Sequence, residues 1–119
     1  MTGAPPGNST GYSPIDDEVF TALRSRRRRY VLYVLLVHES ISTTELADAV
    51  AGWTGVASGM VSPGRREEVD TSLRHRDLPA LEDADLLTRE GDTVSRTDWP
   101  RRVRELIEMA LEEETGSTA

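Results

Sequence analysis

Apolar positions recur along the chain at two different periods, and the changes of period mark the elements. Val19, Phe20 and Leu23 follow the acids Asp16, Asp17 and Glu18, which read as the first turn of a short helix opening at Ser13-Pro14. Ser25 is placed to cap a second helix reaching about His38, with Val31, Leu32, Leu35 and Leu36 on its inner face. Val34 and Val37 widen that stripe, which predicts that this helix is the central one. Ser40, Ile41 and Ser42 suffice only for a minimal strand or an extended link. Thr43 or Thr44 then caps a third helix, with Leu46, Ala47 and Val50 inward and an end near Gly52.

Residues 53–62 read as a loop, and Ser62-Pro63 opens a fourth helix with Val69 and Leu73 on its core side. The next apolar residues are Leu78 and Leu81. The step from Leu73 to Leu78 is five residues, where a helix needs three or four, and Pro79 predicts a break or kink near Asp77 with a restart after it. Residues 86–89 and 93–96 alternate in strand fashion about Glu90, Gly91 and Asp92, a hairpin with Gly-Asp at its turn. Pro100 opens a last helix with Val103, Leu106, Ile107, Ala110 and Leu111 on one face. Glu112, Glu113 and Glu114 sit at its unfavourable, negative end, where fraying is expected. The fold class is therefore mainly α with a small β-hairpin, in the order of a winged helix-turn-helix. Residues 1–13 are expected to be a disordered tail, 14–98 the winged-helix domain, 99–115 a C-terminal helix serving as a dimerisation element, and 116–119 a second disordered tail.

Composition narrows the chemistry. The formal charge is −7, and every one of the 14 basic residues is arginine. Strongly hydrated carboxylates with arginine in place of lysine fit a protein working in molar salt; GC-rich codon usage in an ordinary acidic protein is the other reading. Cysteine is absent, which excludes disulfides and thiolate metal sites. No secretory signal precedes the first helix and the longest apolar run is far too short to span a bilayer, so a cytoplasmic protein is expected.

Residues 75–87, His-Arg-Asp-Leu-Pro-Ala-Leu-Glu-Asp-Ala-Asp-Leu-Leu, carry the most specific pattern. Leu78, Leu81, Ala84, Leu86 and Leu87 occupy its apolar positions. The stretch resembles the end of the recognition helix and the first wing strand of ArsR-type winged-helix regulators. Together with the Ser25-to-Leu36 segment it resembles a haloarchaeal winged-helix family with no assigned enzymatic activity. The resemblance implies a DNA-binding regulator of transcription. Two positions depart from the family pattern: Asp85 stands where glycine is usual, and Asp77 where histidine is usual. An acid at 77 beside a DNA face would repel phosphate.

The expected DNA-binding residues fall in three groups. Arg27 and Arg28 belong to the run that also contains Arg24, Arg26 and Arg29; they suit phosphate contact, or pairing with Asp16, Asp17 and Glu18. Arg65, Arg66, Arg74, His75 and Arg76 lie on or beside the presumed reading helix, where Arg66, Asp70 and Arg74 share an outer stripe suited to base contact or to salt bridges within the helix. Arg89 and Arg96 flank a hairpin whose tip is acidic. Double-stranded DNA, a second copy of the chain and a protein partner are the expected partners. The dimer would use Val103, Leu106, Ile107, Ala110 and Leu111, which otherwise fold back on the first helix. His38 and His75 are the only histidines, too few for metal sensing, and no catalytic constellation or cofactor motif is present. The two function classes are a winged-helix DNA-binding regulator and a winged-helix protein-interaction module without DNA affinity.

Overall fold

Six consecutive buried residues, 30–35, define the centre of the molecule. In the computed structural model, which describes residues 15–58 and 64–116, they lie on helix α2 (Arg26–Val37). Beyond Arg29 this helix is apolar on every side, so it must be surrounded rather than half-covered. It packs against α1 (Asp17–Leu23), α3 (Thr43–Ser58), α6 (Arg101–Thr115) and strand β3 (Thr93–Arg96). The side chain of Ser25 accepts a hydrogen bond from the Arg28 backbone N–H, as its capping role requires. The expected extent of the stripe is corrected at two residues. Val37 is exposed on the last turn, and on α1 the inward positions are Val19 and Ala22 while Phe20 faces out. Phe20 follows Val19 by a single residue, roughly 100° around a helix, and cannot share its face.

Strand β1 (Ser40–Ser42) completes a sheet of order β1-β3-β2, with β2 at Leu87–Glu90. Both pairings are antiparallel; Ile41 and Arg89 flank Val94, which is fully buried. The hairpin turns at Gly91, whose φ of +61° a side chain would strain. Its tip is tied down, since the Asp92 carbonyl accepts from the backbone N–H of Thr43 at 2.8 Å and from the Thr43 hydroxyl at 3.1 Å. Thr43 is thereby occupied, and the cap of α3 is Ser42 instead. Its Oγ accepts from the Glu45 N–H, and its hydroxyl returns a bond to the Glu45 carboxylate.

Helix α3 also passes through Gly52 and continues to Ser58, where an end near Gly52 and a loop are expected. An interior glycine costs only about 1 kcal/mol. Trp53 offsets this by packing edge-on against Tyr30 at 5.2 Å and beside Tyr33 at 5.9 Å. The expected helix starts at Ser13-Pro14 and Ser62-Pro63, the rest of the 53–62 loop, the N-terminal tail and residues 117–119 lie outside the described residues, while Gly116, expected in the second tail, closes α6 with φ +67°.

The five-residue step from Leu73 to Leu78 has a definite structural cause. Helix α4 (Arg65–Ser72) continues through a π-helical turn, Leu73–Asp77, into α5 (Leu78–Asp83). The Leu78 N–H bonds to the Leu73 carbonyl, i to i+5, which keeps both leucines on the core side with no exposure. Pro79 lacks the N–H that an α-helix would return to the carbonyl four residues back, so the wider turn sacrifices little. The expected break is thus an inserted residue within a continuous right-handed backbone. After α5 the chain reverses at Asp85, φ +62°, in the left-handed region where the resembling family has glycine.

Helix α6 folds back mainly on α2. Val103 and Ile107 are buried in the chain's own core and are thereby withdrawn from the expected dimerisation face; Leu106, Ala110 and Leu111 remain half-buried. The predicted fraying at the acidic end is also corrected. Glu114 accepts two hydrogen bonds from Arg29, at 2.7 and 2.9 Å, and one from the Tyr33 hydroxyl at 2.8 Å. The Arg29 hydrogen bonds hold the Glu114 carboxyl below its ordinary value, and burial together with Glu114 pushes the Tyr33 hydroxyl up. A lowered folded-state value contributes stability above the unfolded glutamate range that is lost as pH falls through the folded value. Glu114→Gln is therefore expected to cost about 0.5–1 kcal/mol at neutral pH, the worth of a solvent-screened pair. The penalty should shrink below the ordinary glutamate value of 4.5, as thermal melts from pH 7 to 3 would register; a pH-independent penalty would refute the pairing as its source.

Candidate nucleic-acid interface

The stripe Arg66, Asp70, Arg74 on α4 and the π-turn is neither a free basic row nor purely intrahelical. Arg66 bonds through Nε to Asp48 of α3 and through a terminal nitrogen to the Thr44 carbonyl at 3.3 Å. Arg74 shares both Asp70 oxygens at 3.1 Å and reaches Asp92 at the hairpin tip, 3.4 Å away. The stripe thus stitches α3, α4 and the hairpin together. These contacts raise both guanidinium groups above the ordinary arginine value, Arg66 through Asp48 and Arg74 through Asp70. Glu67 and Glu68 in the first turn are exposed, as are Glu45 at the start of α3 and Glu90 and Asp92 at the hairpin tip. The N-terminal part of α4 is accordingly bordered by carboxylates.

The objection raised by Asp77 disappears, because that carboxylate is not on the surface. Asp77 is completely buried. Arg27 and Arg28 bond its two oxygens through their Nε atoms, the Arg28 contact measuring 2.9 Å, and the Ser72 hydroxyl donates to it at 3.2 Å. An unpaired carboxylate at such depth would cost several kcal/mol, and two arginines remove that penalty. The same contacts correct the expected acidic partners of Arg27 and Arg28. They pair with Asp77, far away in sequence, and not with Asp16, Asp17 or Glu18. No local sequence signal announces this pairing.

Arg96 is likewise corrected from DNA contact to structure. One of its terminal nitrogens donates to the Leu35 and Leu36 carbonyls at 2.8 and 3.1 Å, satisfying the C-terminal end of α2. Its guanidinium also lies 5.7 Å from the Trp99 ring centre. Arg89 pairs with Glu82 of α5 across the start of the hairpin. Arg65 is half-buried, with an Nε that has no hydrogen-bond partner among the described residues. His75 and Arg76 are exposed at the end of the π-turn, and neither takes part in an ion pair among the described residues. Of the expected cations, the geometry leaves Arg65, Arg66, Arg74, His75 and Arg76 together along one helix, the first three lightly tethered or half-sheltered. Arg28 and Arg96 are committed to the interior, while Arg27 gives its Nε to Asp77 and keeps about one third of its side chain exposed.

Among the described residues, no group of three or more His, Asp or Glu side chains is placed to hold a metal ion. Nor, among them, is any helix long and apolar enough to cross a membrane. No curated protein and no solved structure matches the chain. One domain family, described as a domain of unknown function (DUF7344), matches residues 20–97. That stretch runs from α1 through β3, covers about two thirds of the chain and contains every cation discussed above. The chain therefore belongs to the DUF7344 family, with the helices and sheet that carry the candidate surface inside the family domain and α6 beyond it.

Proposed function

We propose that the chain is a winged-helix DNA-binding domain that regulates transcription in the cytoplasm of a salt-adapted, archaeal cell, as the ArsR-type resemblance implies. One observation carries the reading. The elements run helix, strand, two helices, hairpin; the first strand pairs with the last; and the hairpin tip lies against α3 and Arg74. That topology supports reading α4 and its π-turn as the recognition element beside a wing, with α3 as the supporting helix. Arg66 and Arg74 already have carboxylate partners, but these pairs are solvent-exposed, where ion pairs contribute little. A DNA phosphate can replace a carboxylate there at small cost, because the guanidinium fork accommodates either anion. Two copies on two half-sites would pair through Leu106, Ala110, Leu111 and the exposed Met109, because Val103 and Ile107 are already buried.

The test is duplex binding by fluorescence anisotropy across a salt series. Phosphate neutralisation predicts affinity that falls as salt rises. Arg66→Ala and Arg74→Ala are each expected to weaken binding about three- to ten-fold, the loss of one charge-assisted contact, with an unchanged far-UV spectrum. Unchanged affinity in both variants would discard α4 as the reading helix. The second reading, a protein-interaction module, is favoured by the exposed carboxylates Glu45, Glu67, Glu68 and Glu90 around the same helix. Binding that is absent or insensitive to salt would leave that reading alone.

A further inference from the structure

A shallow groove of about 270 Å³ separates the start of α2 from the outer side of α4 and the π-turn. Its walls are Arg27, Glu68, Thr71, Ser72, His75 and Arg76. We infer that this groove binds a phosphoryl group. The inference deepens the DNA reading, on which it rests for one of the two sources of that group: a backbone phosphate of duplex DNA, or a free phosphate-bearing small molecule.

The buried carboxylate prepares the groove. Asp77 holds Arg27 by Nε alone, and no described residue bonds its two terminal nitrogens. Arg27 is therefore fixed in direction while retaining donors for an anion, at about one third side-chain exposure. Such orientation lowers the conformational cost that a free arginine incurs on binding. Ser72, also on the wall, spends its hydroxyl proton on Asp77 and so steadies the same carboxylate. Arg76 supplies a second cation with no ion-pair partner among the described residues, and Thr71 and His75 add a hydroxyl and an imidazole at the rim. Two cations and neutral donors around a site with room for an anion and several waters, at about 30 Å³ each, suit a phosphoryl group.

Glu68 opposes this and sets a limit. It lies two helical turns from His75, at the other end of the groove, so it repels a second negative group extending toward the start of α4. The groove is thereby matched to one phosphoryl group and not to a run of them along its length.

The experiment is an amide NMR titration of the full chain with inorganic phosphate, and separately with a short duplex, each at constant ionic strength set by potassium chloride. Saturable shifts at Thr71, His75 and Arg76 with phosphate are expected. Arg76→Ala should weaken phosphate about five-fold or more, and Glu68→Gln should tighten it about two- to three-fold, as single-charge changes beside an anion. Arg76 and Glu68 are exposed, so neither variant should alter the fold. No saturable shift with phosphate, or an Arg76→Ala protein that binds it as tightly as the parent, overturns the groove. A duplex that binds without moving these amides, where inorganic phosphate does move them, assigns the groove to a free small molecule and leaves the DNA reading intact. Phosphate binding without duplex binding upholds the groove, assigns its ligand to a free small molecule and ends the DNA reading.

Discussion

The Leu78→Asp variant is expected to lose cooperative unfolding altogether at neutral pH. Leu78 has no exposed surface, sits where the π-turn meets α5, and belongs to one buried cluster with Leu32, Leu35, Leu73 and Leu81. The substitution removes about 2–3 kcal/mol of apolar burial and adds a carboxylate with no partner, a further penalty of several kcal/mol. A domain of this size has a total stability of about 5–15 kcal/mol, most of which that sum consumes. Urea titration followed by circular dichroism should show a flat, unfolded baseline, while Leu78→Met should stay within about 1.5 kcal/mol of the parent. A normal transition for Leu78→Asp would mean that the core has been misassigned.

Asp77→Ala is expected to destabilise the domain by about 2–4 kcal/mol. Breaking a buried pair costs about 3–5 kcal/mol, reduced here because the orphaned arginines are partly exposed and can recover water. Arg27→Ala should cost less, roughly 1 kcal/mol, since Arg28 and Ser72 still serve the carboxylate. The Arg27→Ala/Arg28→Ala double variant should exceed the sum of its single variants, because only it strands Asp77 without a cation. Burial also predicts that these costs persist in molar salt, unlike those of the surface pairs at Arg66 and Arg74. An Asp77→Ala protein within about 0.5 kcal/mol of the parent would show that the triad contributes nothing beyond an ordinary surface site.

Local patterns made much of the fold legible. Ser25 as a cap, the apolar breadth of α2 and the hairpin about Gly91 each depend on residues within one turn or one strand of each other. The five-residue step between Leu73 and Leu78 is visible too, although periodicity alone does not separate a kink from a π-turn, since both explain the slip. Local pattern is ambiguous where neighbouring residues can fill the same role. Thr43 and Ser42 can each cap α3, and only the hairpin tip, by engaging Thr43, selects Ser42.

The candidate surface was less legible, because a charged side chain declares its sign but not its partner. Arg27, Arg28 and Arg96 look in the sequence like Arg66, Arg74 and Arg76. What separates them is contact with Asp77, 50 and 49 residues away, and with the end of α2, about 60 residues away. The same holds for Glu114, which local reasoning places at a frayed end and which Arg29 and Tyr33 secure.

Sequence alone determined the order of the described helices, the hairpin and most of the residues deepest inside, because periodicity and turn chemistry act over a few neighbouring positions. Tertiary structure decided which arginines remain available to a partner, how far α3 extends and where α6 lies. Those outcomes depend on ion pairs and packing between segments many tens of residues apart, and an electrostatic partner is chosen by distance in space, which no local pattern encodes.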